Sequence, residues 1–189
     1  MAQIAHLEAF TRLLRTRAVE AGWIGSNDRH RVWERHVLDS LRALACLPPG
    51  PTDAADIGSG AGLPGIPVAI ARPDLRIYLI EPKLRKVAFL EFAVEQLELA
   101  NVTVLPQAAR SVTRQVKVAT ARALAGPAEA WAIGGTLLEP EGQLIYFAGR
   151  SWSERDAQAL RAVGVSCAIC SRPRFAWHGP LVIMGRSTA

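Results

Sequence analysis

The sequence predicts an α/β fold: a mostly parallel, seven-stranded sheet with helices on both faces and a short helical extension at the amino end. Three observations carry this. Apolar strand-like runs alternate with helical patterns from about residue 51 onward, which is how a parallel sheet covered on both faces is written. At 189 residues, half of them hydrophobic, the chain can bury one full core, and no low-complexity linker divides it. A glycine loop, Asp56-Ile57-Gly58-Ser59-Gly60-Ala61-Gly62-Leu63-Pro64-Gly65, follows the first strand of the sheet, where open α/β folds bind ligands.

The elements follow in order. Ile4, Leu7, Phe10, Leu13 and Leu14 recur at helical spacing, giving an amphipathic helix that fades near Gly22. Ser26, Asn27 or Asp28 can cap a second helix, whose apolar stripe is Val32, Trp33, His36, Val37, Leu41 and Leu44 and which Pro48-Pro49-Gly50 stops. Residues 1–50 therefore form a helical extension packed on the core, and 51–189 the main domain of a single compact unit. Strands are expected near 54–57, 76–80, 102–105, 116–120, 143–148, 165–170 and 180–184. Helices are expected near 63–71, 83–99, 126–134 and 153–163.

The loop's chemistry points away from phosphate. A Walker loop would end in Gly-Lys-Ser/Thr, whereas Gly65 is followed by Ile66-Pro67. A pyrophosphate cradle needs backbone N–H groups at a helix start, and Pro64 and Pro67 remove two of them. With Asp56 beside the loop, a ligand carrying an amino group and a sulfonium fits better, which places S-adenosylmethionine ahead of NAD. Glu81 ends the next apolar run about twenty residues on, where a carboxylate can accept from ribose hydroxyls. A carboxylate placed at Gly58 would enter the ligand's space, so Gly58→Asp is expected to abolish cofactor binding without unfolding the chain.

Composition narrows the partners. Net charge is +5, and the lysines are Lys83, Lys86 and Lys117, the other basic residues being arginine, which pairs bidentately with phosphate. No apolar run approaches the length of a membrane span, and a cytoplasmic protein is expected. Cys46, Cys167 and Cys170 make no disulfide framework. Cys167 and Cys170 lie three apart in a strand-like run and so face opposite ways, which argues against a metal or redox pair.

Three segments resemble the bacterial small-subunit (16S) ribosomal RNA guanine-N7 methyltransferases, the glucose-inhibited division protein B family. Arg35-His36-Val37-Leu38-Asp39-Ser40-Leu41 is similar to the family's Arg-His-x-x-Asp-Ser-Leu segment. Asp56 to Pro67, with Arg72-Pro73-Asp74, looks like its cofactor loop and following helix, and Ala121-Arg122-Ala123 matches its Ser-Arg-Ala segment. The resemblance implies a Rossmann-like class I S-adenosylmethionine-dependent methyltransferase fold. It also implies 16S rRNA or the small ribosomal subunit as partner, and a monomer acting away from membranes. It places cofactor contacts at Gly58, Ser59, Gly60, Gly62, Leu63, Glu81, Ala108, Ala109, Arg110 and Arg122, RNA contacts at Arg35, His36 and Arg150, and no metal. Departures stand at Gly22-Trp23-Ile24, where the family often has Asn-Leu-Thr/Val, at Ala108-Ala109-Arg110 in place of an Ala-Glu pair, and at Ala148-Gly149 in place of Lys-Gly.

Guanine N7 carries an unprotonated lone pair, so the implied reaction needs no general base. Arg35 and Arg122 are expected to position the reactants, and Arg35, Arg122 and Arg150 to grip phosphates or stack on the target base. Trp23, Trp33, Trp131, Trp152 and Trp177 are the candidates for base stacking, none singled out, since scattered tryptophans are usually core or rim packing. His36 and Asp39, three apart on one helix face, are expected to cap the sheet edge or orient Arg35. A small-molecule methyltransferase on the same core, or a non-catalytic cofactor- or ribosome-binding protein, stays open as an alternative.

Overall fold

Seven strands form one sheet in the computed structural model, which describes residues 2–170 and 178–187. They are β1 (Asp53–Ile57), β2 (Arg76–Ile80), β3 (Val102–Leu105), β4 (Val116–Arg122), β5 (Leu138–Phe147), β6 (Val165–Cys170) and β7 (Leu181–Arg186), in the order β3-β2-β1-β4-β5-β7-β6. The first five are parallel, and β7 runs antiparallel between β5 and β6. The sheet is therefore mostly parallel, as the alternating pattern predicts. β5 starts earlier than expected because Leu138–Gly142 join the strand, with a register shift against β4 between Val116 and Val118.

Successive strand residues point to opposite faces, and the two cores follow that alternation. Ala54, Ile77, Leu79 and Val118 pack with α3 (Gly65–Ala71), α4 (Leu84–Gln96) and the N-terminal helices. Ala55, Ile57, Ile80, Ala119 and Ala121 pack with α5 (Pro127–Gly134) and α6 (Glu154–Ala162). α4 buries Val87, Phe89, Leu90 and Ala93, one stripe at helical spacing. α6 opens on a capping box in which Ser153 and Asp156 exchange hydrogen bonds, stabilising that end by about 1 kcal/mol. Cys167 packs with one core and Cys170 with the other, on opposite faces as expected.

α1 (Ala2–Leu13) continues in wider helical turns to Ala18 and ends in a Schellman turn. Gly22, at φ +72, donates to Val19 O at 3.0 Å, and Trp23 N donates to Ala18 O at 2.9 Å. The second helical segment is not the single capped helix the pattern predicts. A 3-10 turn over Ser26–Arg31 leads into wide turns over Trp33–Leu38, the short α2 (Asp39–Leu41) and a further 3-10 turn over Arg42–Cys46. Gly25, not Ser26, Asn27 or Asp28, precedes it, and no side chain caps it. Asp28 turns instead to Arg35 and His36, because the Arg35 guanidinium holds a carboxylate more strongly than one backbone N–H does. Leu7, Phe10, Val32 and Val37 share one core with Ile66 and Val68 of α3.

Candidate cofactor and acceptor site

The strand order reverses between β1 and β4, and the glycine loop leaves β1 at that point on the carboxyl edge. The loop holds itself in shape. Gly58 N and Ser59 N both donate to Ile80 O, Gly62 N and Leu63 N both donate to Ser59 O, and Ser59 Oγ donates to Asp56 O at 2.8 Å. Gly60 N donates to Glu81 Oε2 at 3.0 Å, and Gly65 N to Asp56 Oδ2 at 3.1 Å. These amides are therefore already paired within the protein, so they make no cradle for a pyrophosphate.

Asp56 does not face the ligand. It is fully buried beneath the loop, on the α3 face of β1, where Oδ1 accepts from Thr120 Oγ1 at 2.7 Å and Oδ2 accepts from Gly65 N. Burial pushes its carboxyl up to about 6, against the lowering effect of the Thr120 and Gly65 bonds. The expectation that Asp56 repels anions at the loop surface is thus corrected: its carboxylate fastens β1, β4 and the start of α3 together. Glu81 is also buried, its Oε1 accepting from Lys83 N at 2.9 Å and its Oε2 from Gly60 N. A carboxylate oxygen accepts more than one hydrogen bond, so both retain capacity for ribose hydroxyls.

A cavity of about 300 Å³ opens over the loop. Gly58, Ser59, Gly60, Ala61 and Leu63 form one wall, Arg122 and Ala123 the end of β4, and Trp23, Ile24, His36 and Lys86 the remainder. Two larger hollows, of about 470 and 570 Å³, lie at the amino ends of β4, β5 and β6, away from the loop. The switch-point rule for open α/β sheets assigns the site to the smaller one. Ile24, Lys86 and Ala123 are not among the expected site residues, and Trp23 is the one of the five candidate tryptophans that lines this cavity among the described residues. Ala123 takes φ +50, a left-handed conformation that no sequence pattern announces for alanine. Gly58 is at φ +68, and a Cβ there would lie 2.7 Å from Leu124 Cδ1. Gly58→Asp therefore also strains the loop and displaces Leu124, and the expectation of a substitution that touches only the ligand's space is corrected.

Arg122 reaches from β4 back into the N-terminal segment. Its Nη1 donates to His36 O and Ser40 Oγ, and its Nη2 donates to Arg35 O at 3.1 Å and lies 3.1 Å from Asp39 Oδ2. Those two nitrogens are engaged inside the protein, which corrects the expectation that they grip a phosphate. Asp39 is buried, and its carboxylate also meets Arg42 at 2.6 Å and His178 at 3.3 Å. His36 Nδ1 lies 3.3 Å from Arg122 Nη2, and its Nε2 lies 3.4 Å from Asp28 Oδ2. Burial first, then the Arg122 charge, lowers the His36 pKa against the pull of Asp28, so at neutral pH the ring is uncharged and Nδ1 can accept from Arg122. His36 meets Arg122 at the carboxyl end of β4, at the sheet edge as expected, and is linked to Arg35 only through Asp28, which both contact.

The remaining expected positions lie along the same edge. Ala108 and Arg110 are exposed and Ala109 buried in the turn after β3, beside the end of β2 that carries Glu81. Arg150 is exposed in the turn after β5. Trp177, one of five tryptophans considered for base stacking, lies outside the described residues. Among the described residues no group of His, Cys, Asp and Glu is arranged to hold a metal, and no helix is long and apolar enough to cross a membrane.

A doubly wound sheet with the β3-β2-β1-β4-β5-β7-β6 order, a glycine loop at its switch point and a carboxylate ending β2 defines a class I S-adenosylmethionine-dependent methyltransferase. The fold is shared with ribosomal protein L11 methylase from Lactobacillus delbrueckii subsp. bulgaricus (TM-score 0.64, 14% identity, covering 82% of this chain and 79% of that one). It is shared too with M. jannaschii TYW2 solved with AdoMet (TM-score 0.59, 15% identity, 82% and 78% covered). The sequence profile of rRNA small subunit methyltransferase G matches residues 3–171, and the chain belongs to that family. The Frankia alni ribosomal RNA small subunit methyltransferase G is 39% identical over 184 residues, covering 91% of this chain and 70% of the relative. The Mycobacterium leprae protein of the same name is 37% identical over 175 residues, covering 86% and 70%.

Proposed function

We propose that this enzyme transfers the methyl group of S-adenosylmethionine to N7 of a guanine in the RNA of the small ribosomal subunit, acting as a cytoplasmic monomer. The observation that carries this is the composition of the cavity. It contributes Lys86, Arg122 and a neutral His36 and, among its described lining residues, no carboxylate. A lone-pair nucleophile such as guanine N7 needs no proton removed, and a basic wall suits a polyanion. Rate then comes from alignment of N7, the methyl carbon and the sulfonium, worth up to roughly 7–11 kcal/mol at the limit.

In this reading Gly58, Ser59, Gly60, Gly62 and Leu63 shape the methionine side, Glu81 holds the ribose, and the Ala108–Arg110 turn borders the adenine. Arg122 acts as a brace that sets the N-terminal segment over the cavity. Arg35, His36 and Arg150 face the RNA. The helical segment 1–50 supplies one wall of the site, and 51–189 the cofactor-binding domain. The test is to incubate the enzyme with S-adenosylmethionine and either unmodified small subunits or their naked RNA, then analyse nucleosides by mass and fragmentation. 7-Methylguanosine at one position supports the reading; a methyl elsewhere, or cofactor turnover only with small molecules, overturns it.

A further inference from the structure

We infer that Trp23 is the stacking wall for the acceptor base, an inference that rests on the guanine reading above. Trp23 is the only Trp, Tyr or Phe among the described residues lining the cavity, which it shares with the Gly58–Ala61 loop. Both its backbone and its ring are held. The Schellman turn fixes the main chain through Gly22 and Ala18, and the indole packs edge-on against Phe89 at 5.5 Å and 71°. An aromatic ring held in advance can stack on a base without ordering cost at binding.

The choice between acceptor base and cofactor adenine follows from placement. The carboxylate suited to the ribose, Glu81, and the turn Ala108–Arg110 stand at the ends of β2 and β3, and none of them lines this cavity. The cavity lies instead between the ends of β1 and β4, with Gly58 and Ala123 in its wall. The adenosine end therefore belongs over β2 and β3. The cavity receives the methionine end, and the base that takes the methyl meets Trp23.

The experiment measures methyl transfer to naked small-subunit RNA by wild type, Trp23→Phe and Trp23→Leu, with S-adenosylmethionine affinity measured calorimetrically for each. Leu keeps an apolar contact with Phe89 while removing the stacking face. Trp23→Leu is expected to raise the KM for RNA on the order of tenfold or more, with cofactor affinity changed less than about twofold and Trp23→Phe restoring most of the loss. A wild-type KM for RNA in Trp23→Leu overturns the inference. So does a loss confined to cofactor affinity, which would make Trp23 a wall for the cofactor. If wild type itself leaves the RNA unlabelled, the guanine reading falls and this inference falls with it, whereas a failure seen only in the variants leaves that reading standing.

Discussion

Asp39 Oδ2 lies 3.1 Å from Arg122 Nη2, joining the N-terminal helical segment to the carboxyl end of β4 at the edge of the cavity. The same carboxylate holds Arg42, whose side chain is 4% exposed, through its other oxygen. Arg42 Nη2 in turn donates to Gly179 O at 2.8 Å, so the cluster also secures the chain just before β7.

Removing the shared carboxylate leaves buried guanidinium charge uncompensated. Asp39→Ala is expected to destabilise the fold by about 3–5 kcal/mol, read from the urea midpoint. Arg122→Met, alone and combined with Asp39→Ala, should reveal a coupling clearly above the roughly 0.5 kcal/mol scatter of independent sites. Additive effects would mean that the pair does not interact.

Asp56 gives a pH signature. Its pKa rises from 3.8 to about 6 on folding, so between those values the folded state holds the proton more tightly and stability falls as pH rises. Above about pH 6 the loss is constant, on the order of 3 kcal/mol. An Asn at 56 can accept from Gly65 N and donate to Thr120 Oγ1, so Asp56→Asn is expected to remove that slope and to equal or exceed wild-type stability at neutral pH. His36 and His178, both lowered by burial, act in the opposite sense, losing stability as pH falls below about 6.5. They are present in both proteins, so the difference curve isolates Asp56. A slope unchanged in Asp56→Asn would contradict the assignment.

Glu81 tests the ribose contact, although its Oε2 also holds Gly60 N of the loop. Glu81→Gln keeps one acceptor but loses the charge, and hydrogen bonds to charged groups contribute roughly 1.5–3 kcal/mol. S-Adenosylmethionine affinity should fall about tenfold or more by calorimetric titration of the folded variant, whose melting temperature also drops because the amide NH2 leaves Gly60 N or Lys83 N without its acceptor. Unchanged affinity would place the ribose elsewhere.

Much of this was legible in the sequence because its signals are local. Every strand from β1 to β4 is a short apolar run ending in a turn, and the glycine loop is written contiguously from Asp56 to Gly65. What the sequence hid depends on contacts across long separations. Asp28 reads as a helix cap until Arg35 and His36 are seen to close on it. Arg122 reads as a phosphate grip until the Arg35 and His36 carbonyls and Asp39, more than eighty residues away, take its donors. Trp23 and Lys86 came to the cavity through a turn and a helix start whose directions the chain pattern does not encode.

The most direct test of the account is transfer of a radiolabelled methyl group from S-adenosylmethionine to small subunits lacking the modification, with Gly60→Asp as control. A Cβ at Gly60 would meet only Gly58 O at 3.6 Å and Lys86 Nζ at 3.7 Å, and aspartate tolerates its φ of +57, so the carboxylate enters the cavity with less disturbance of the loop than at Gly58. The account predicts label in the RNA that disappears with folded Gly60→Asp protein. RNA left unlabelled by wild-type enzyme that binds the cofactor, or labelled equally well by the variant, would contradict it.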